Sequence, residues 1–122
     1  MTLEELYRNI EGDYTQALRV LRVEKLIDKH VRRFESGNPI GDLLEAGSRM
    51  DAQQIFEAAH AAKGVCGNLG LLKLASAASE MTEEFRPGTP RRLSDAQTRE
   101  KLAALEALYG KTLEGIRAYM AD

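Results

Sequence analysis

Residues 51–85 read DAQQIFEAAHAAKGVCGNLGLLKLASAASEMTEEF, and their periodicity decides the fold. Asp51 and Gln54 have the spacing of a capping box, with Asp51 at N-cap and Gln54 three residues on. Behind them Ile55, Phe56, Ala59, Ala62 and Cys66 form an apolar stripe. After Gly70 a second stripe begins: Leu71, Leu74, Ala78, Met81 and Phe85. Two amphipathic helices with a short joint around Asn68-Leu69-Gly70 are expected, and neither shows the alternation of a strand.

Working outward, the same pattern recurs on both sides. Upstream, a short helix is expected near Leu3–Asn9, with a break at Gly12-Asp13 where Asp13 can cap the next helix. From Tyr14 to about Glu35 the apolar residues keep helical spacing, except for a slip between Leu21 and Leu26 that predicts a kink or break near Arg22-Val23. Ser36-Gly37-Asn38-Pro39 ends that helix, with Gly37 as the expected C-cap. Ile40–Ala46 reads as a short helix or turn stopped near Gly47-Ser48. Downstream, Arg86-Pro87-Gly88-Thr89-Pro90 is a loop, and Ser94 or Asp95 opens a last helix. Its stripe is Leu102, Leu105, Tyr109, Leu113 or Thr112, Ile116 and Met120. The chain is therefore expected to be all-α: one domain over residues 1–122, an antiparallel up-down four-helix bundle with one or two short additional N-terminal helices.

Composition narrows the function. The 122 residues carry 17 Lys and Arg against 19 Asp and Glu, a net charge of −2, which offers no general attraction to nucleic acid. No apolar run approaches the roughly 18 residues of a membrane span, and the acidic start Met1-Thr2-Leu3-Glu4-Glu5 does not read as a secretory signal. A single cysteine excludes an internal disulfide and fits a reducing cytoplasm. Two histidines and one cysteine do not make a zinc site, so no metal is expected.

The chemistry concentrates around His60. Counting about 100° per residue from Ala59 places Ala52, Ile55, Ala62 and Cys66 within roughly 60° of the core direction. His60 then falls at about 100°, Lys63 at about 40°, Gly64 at about 140° and Gly67 at about 80°. Gln53 falls at about 120° and Glu57 at about 160°. His60 is thus expected at the side or outside of its helix, beside an ammonium and bare backbone. A glycine inside a helix costs about 1 kcal/mol relative to alanine, so Gly64 needs a reason. One is close approach of a partner to the imidazole; the other is that the helix ends there. His30, among Ile27, Val31 and Phe34, is expected at the edge of the core without chemistry, and Cys66 as a small buried hydrophobe.

These residues resemble the histidine-containing phosphotransfer (HPt) domain of phosphorelays. The resemblance lies in Ala59-His60-Ala61-Ala62-Lys63-Gly64, then Asn68-Leu69-Gly70, then the helix from Leu71 to Phe85, and extends through Gly12-Asp13-Tyr14, Phe34 and Leu43-Leu44. It implies that His60 accepts and donates the phosphoryl group, that Lys63 offsets its charge, and that Gly64 admits the receiver domain of a response regulator. A docking face of Gln53, Glu57, Ala61, Gly64, Gly67 and Leu71 follows. The family often places Gln or Glu on the next helix to orient the imidazole; here that position is Thr82, whose hydroxyl can accept a hydrogen bond, with Glu83 beside it. The resemblance further implies no kinase activity and no cofactor of its own, magnesium belonging to the receiver. The partners would be response-regulator receivers and a hybrid histidine kinase, and the chain a cytoplasmic monomer. Two other readings are a helical docking module that has lost the relay chemistry and the phosphoacceptor domain of a larger histidine kinase; a free-standing module is the simpler expectation.

Overall fold

The computed structural model describes all residues 1–122. The chain forms seven helices and no strand: α1 Leu3–Asn9, α2 Tyr14–Leu21, α3 Glu24–Arg33, α4 Pro39–Arg49, α5 Ala52–Asn68, α6 Leu72–Glu84 and α7 Asp95–Ala121. All helix starts except those of α3 and α6 carry a side-chain cap. Thr2 and Ser94 each head a full capping box, with Glu5 and Gln97 reaching back. Asp13 accepts from the Gln16 N–H at 2.9 Å. Asp51 accepts from the Gln54 N–H at 3.1 Å, but Gln54 does not return the bond; its side-chain oxygen accepts from Arg49 instead, so the expected box is half formed.

The helix expected over Tyr14–Glu35 breaks where the apolar spacing slips. Arg22 takes φ 76° and Val23 is extended, which turns α2 into α3. The next junction differs from expectation. Gly37 is not a left-handed cap; Phe34 closes α3 in right-handed helical geometry. Asn38 makes the junction instead. Its amide nitrogen donates to the Phe34 carbonyl and, at 2.8 Å, to the Tyr109 hydroxyl, while its oxygen accepts from the Ile40 N–H that opens α4 at 2.8 Å. Pro39 is then the first residue of α4, where its missing N–H is harmless.

α4 also runs past its expected stop at Gly47-Ser48. Gly47 is buried against α7: a Cβ there would lie 2.5 Å from Leu102 Cδ1, so this glycine permits a close helix approach rather than ending a helix. Met50, left-handed at φ 53°, ends it.

α4, α5, α6 and α7 close a ring of packed neighbours. Two residues join α4 to α5 and three join α5 to α6, short links that make these neighbours antiparallel. α2 lies on α5, α1 and α3 lie on α7, and α4 touches both α5 and α7. The wall expected from one helix over Tyr14–Glu35 is therefore shared by α2, α3 and α4. The core includes Leu6, Tyr7, Ile27, Ile40, Leu43, Ile55, Leu74, Met81, Leu105 and Ile116, all essentially inaccessible. In α7 the buried residue of the last turn is Tyr119, whose hydroxyl donates to Asp28; Met120, expected inside, is exposed. His30, expected at the core edge, is exposed as well.

Candidate functional site

α5 continues through Gly64 and Gly67 to Asn68, so the alternative in which the helix ends at Gly64 is excluded. Ile55, Ala59, Ala62 and Cys66 point into the bundle, as the phase count predicts. Ala52, at the first turn, is exposed. Burial pushes the Cys66 thiol up to about 12, which leaves it protonated and unreactive near neutral pH.

Off that face His60, Ala61, Lys63 and Gly64 are exposed, with Glu57 and Gln53 one and two turns earlier. Gln53 donates to Glu57 at 2.8 Å. Gly67 is half-buried. A Cβ at Gly64 or Gly67 would meet nothing within 4 Å, so neither glycine is required by internal packing. Gly41 and Gly110 are equally free of neighbours. An open helical glycine therefore marks nothing by itself; what sets Gly64 apart is its place one turn beyond His60 and next to Lys63.

The imidazole of His60 lies against the ring of Phe56, one turn earlier on α5, with ring centroids 5.7 Å apart and planes tilted by 34°. Phe56 is half-buried against the core, so it forms a fixed wall under an exposed imidazole. Its other neighbour is Arg86, just past the end of α6, whose guanidinium carbon lies 5.5 Å from the Phe56 centroid. Arg86 is in turn paired with Glu83 at 2.6 Å. The carboxyl of Glu83 is held below its usual range, first by the Arg86 hydrogen bond, against a smaller opposing effect of burial. The charges of Arg86, Lys63 and His60 act in the same lowering direction.

Two expected site residues are corrected. Leu71 is only 4% exposed and packs in the core at the start of α6, so it offers nothing to a docking partner. Thr82 is fully buried, and its hydroxyl donates to the Ala78 carbonyl at 2.9 Å, closing a bond within α6. Its neighbour Glu83 is exposed and pairs with Arg86. The sequence reading had Phe56 on the apolar stripe, Glu83 only beside Thr82 and Arg86 in a loop, and did not bring the three together; Phe56 is half-buried beside His60, with Arg86 over its ring and Glu83 paired to Arg86. Helical spacing holds the signal for them, since Phe56 precedes His60 by four residues and Glu83 precedes Arg86 by three.

No group of three or more His, Cys, Asp or Glu side chains is arranged to hold a metal ion. No helix is long and apolar enough to cross a membrane.

An exposed histidine halfway along one helix of an antiparallel bundle, with a lysine and an open glycine one turn on, defines a histidine phosphocarrier architecture. The chain belongs to the Hpt domain family, whose family model matches residues 2–115. Domains of this family carry phosphoryl groups on histidine in two-component phosphorelays and act as carriers rather than kinases. The chain is 31% identical over 85 residues to the "Sensory/regulatory protein RpfC" of Xanthomonas campestris pv. campestris, in both strain ATCC 33913 and strain 8004. That match covers 68% of this chain and 12% of each relative, so the chain corresponds to a small part of those proteins. No solved structure matches it.

Proposed function

We propose that this protein relays a phosphoryl group between His60 and the aspartate of response-regulator receiver domains. The observation that carries the reading is the placement of the family's Ala-His-x-x-Lys-Gly pattern: His60, Lys63 and Gly64 are exposed together on the middle of α5, while Ala59 and Ala62 anchor that helix in the core.

The transfer is an exchange of one bond to phosphorus for another. A ring nitrogen of neutral His60 attacks the phosphoryl group of an aspartyl phosphate. The P–N bond forms, the P–O bond breaks, and the receiver's carboxylate leaves; the reverse reaction passes the group on. The receiver supplies magnesium, which offsets charge on the phosphoryl oxygens. Such transfers depend mainly on alignment and charge stabilisation. Phe56 packs beside the attacking ring and limits its motion on that side. Lys63 supplies a mobile positive charge one turn on. Gln53, Glu57, Ala61, Gly64 and Gly67 form the face a receiver would cover, with the open glycines letting its backbone approach. On this reading the protein needs no cofactor and no nucleotide of its own, works in the cytoplasm as a monomer, and takes its phosphoryl group from a receiver that a hybrid histidine kinase has charged.

Incubation of the purified protein with a phosphorylated receiver tests this. Wild type should become labelled at His60 and His60→Gln should not. Labelling that survives the substitution refutes the assignment.

A further inference from the structure

We propose that the outer face of α3 rests on an anionic lipid surface and holds this domain against a membrane without crossing it.

Charge in this chain is divided unevenly. Residues 19–33 carry six Lys and Arg against two acids, while the rest of the chain carries eleven against seventeen. The same segment concentrates exposed apolar surface. Val20, Val23 and Leu26 are 37%, 51% and 40% exposed, three of the seven large apolar side chains that face solvent. Helical phase brings the two features together on α3. With Leu26 at zero and about 100° per residue, Arg33 falls at about −20°, His30 at about 40° and Lys29 at about −60°. Glu24 and Asp28 fall at about 160° and about −160°, on the far side. Leu26, Lys29, His30 and Arg33 are all exposed. Arg22 and Val23, at the corner that opens α3, extend the face. Asp28 is engaged elsewhere, by Arg32 at 2.9 Å and by the Tyr119 hydroxyl. Arg22, Lys29 and Arg33 enter no ion pair.

Aliphatic tips among unpaired long cations suit a lipid interface. The aliphatic groups enter the acyl boundary, while Lys and Arg bury their stems and keep their charges at the phosphates. Basic clusters on a helix surface are drawn to anionic leaflets in this way. A protein or nucleic-acid partner matches the face less well. It has no Tyr, Trp, Phe or Met, which anchor protein interfaces, and no row of aromatic rings for stacked bases. One end of it does reach α5, where His30 and Arg33 share a cavity with Val65 and Asn68, so a protein contact is the competing outcome.

Co-sedimentation of the purified protein with vesicles tests this, using phosphatidylcholine alone and phosphatidylcholine with phosphatidylglycerol at about 2:1. Wild type should sediment with the anionic vesicles only and be released at about 1 M salt, where screening is strong. Lys29→Gln/Arg33→Gln should weaken partitioning about tenfold to thirtyfold, the loss of two surface cations. Val23→Ser/Leu26→Ser should weaken it about tenfold through lost apolar contact. Arg99→Gln/Lys111→Gln removes the same charge from exposed positions on α7 and should stay within about twofold of wild type. None of these readouts depends on His60 carrying phosphate. A wild type that ignores anionic vesicles overturns the proposal, as does a loss in the α7 control equal to that in the α3 variants. Wild type that ignores vesicles, together with α3 variants that lose phosphoryl transfer from a receiver, would make the face a protein contact and overturn it in that favour.

Discussion

Gly70 rests against the backbone of Asp13. The Asp13 N–H donates to the Gly70 carbonyl at 2.7 Å, and a Cβ on Gly70 would fall 2.2 Å from the Asp13 carbonyl oxygen. This contact ties the α5–α6 joint to the cap of α2. Tyr7 reinforces it, donating its hydroxyl to the Leu69 carbonyl at 2.7 Å. Two segments far apart in sequence thereby fix where α6 begins, and so where Arg86 arrives over the Phe56 ring.

Gly70→Ala should be among the most damaging single substitutions outside the core. Gly70 has φ +74°, and an L side chain in that region costs about 1–2 kcal/mol. The clash is with backbone, which cannot swing aside as a side chain would. A total loss of about 2–4 kcal/mol is expected in urea unfolding. A loss below about 1 kcal/mol would mean that the joint adapts and the Asp13 contact is dispensable.

Glu84 gives the fold an acid-sensitive latch. It is buried between the end of α6 and the segment leading to α7. It accepts from Arg91 Nε at 2.8 Å and from the N–H groups of Arg92 and Leu93 at 3.0 and 2.8 Å. Burial alone would raise its pKa, but the Leu93 N–H, the Arg91 guanidinium and the Arg92 N–H together outweigh burial and bring it below 4.5. Because the folded-state pKa is the lower one, the unfolded chain binds more protons as pH falls through this window. The stabilisation is therefore full above 4.5 and lost as pH drops through the folded-state value. Thermal unfolding from roughly pH 6 down to pH 3 should show wild type losing stability faster than Glu84→Gln, which has no carboxylate to protonate there. Parallel acid limbs for the two proteins would contradict the latch.

How much of this was legible in the sequence depends on the range of the interaction that decides each feature. Where neighbours along the chain decide, the reading matched: the Asp13 and Ser94 starts, the break at Arg22-Val23, and the outward phase of His60 all follow from local spacing. Where tertiary packing or the exact side-chain orientation decides, it did not. Gly47 resembles a helix stop until Leu102 is seen against it. Gly37 resembles a cap until Asn38 is seen bridging Phe34 and Tyr109. Leu71 is at the right distance for a docking residue but begins the buried stripe of α6. Thr82 occupies the register of an orienting group, but its hydroxyl is engaged within its own helix, and one residue's rotation brings Glu83 to the surface instead.

Lys63 should matter to transfer and not to folding. It is exposed on α5, beyond the buried stripe. Removing one charge from an exposed site costs a modest factor, so Lys63→Ala should slow transfer from a phosphorylated receiver about three- to tenfold. Its unfolding free energy should stay within about 0.5 kcal/mol of wild type. Single-turnover labelling paired with urea unfolding separates the two effects. An unchanged transfer rate would show that Lys63 does not act on the phosphoryl group.

Gly64 puts stability and function in opposition. Its position is helical and exposed, and a Cβ there meets no neighbour within 4 Å. Replacing it should therefore relieve the entropic penalty of a helical glycine, and Gly64→Ala should stabilise the domain by about 0.5–1 kcal/mol. If the glycine is there for a receiver, a larger residue such as Gln should keep some of that stability while raising the receiver concentration needed for half-maximal transfer. Labelling by phosphoramidate should be little affected, because a small donor does not need the docking face. The decisive pattern is a more stable protein that accepts phosphate from the small donor but poorly from the receiver. Equal transfer from both donors would mean that the open backbone at Gly64 has no part in docking, and Gly64 would then stand with Gly41 and Gly110 as an exposed helical glycine whose absent Cβ serves no contact.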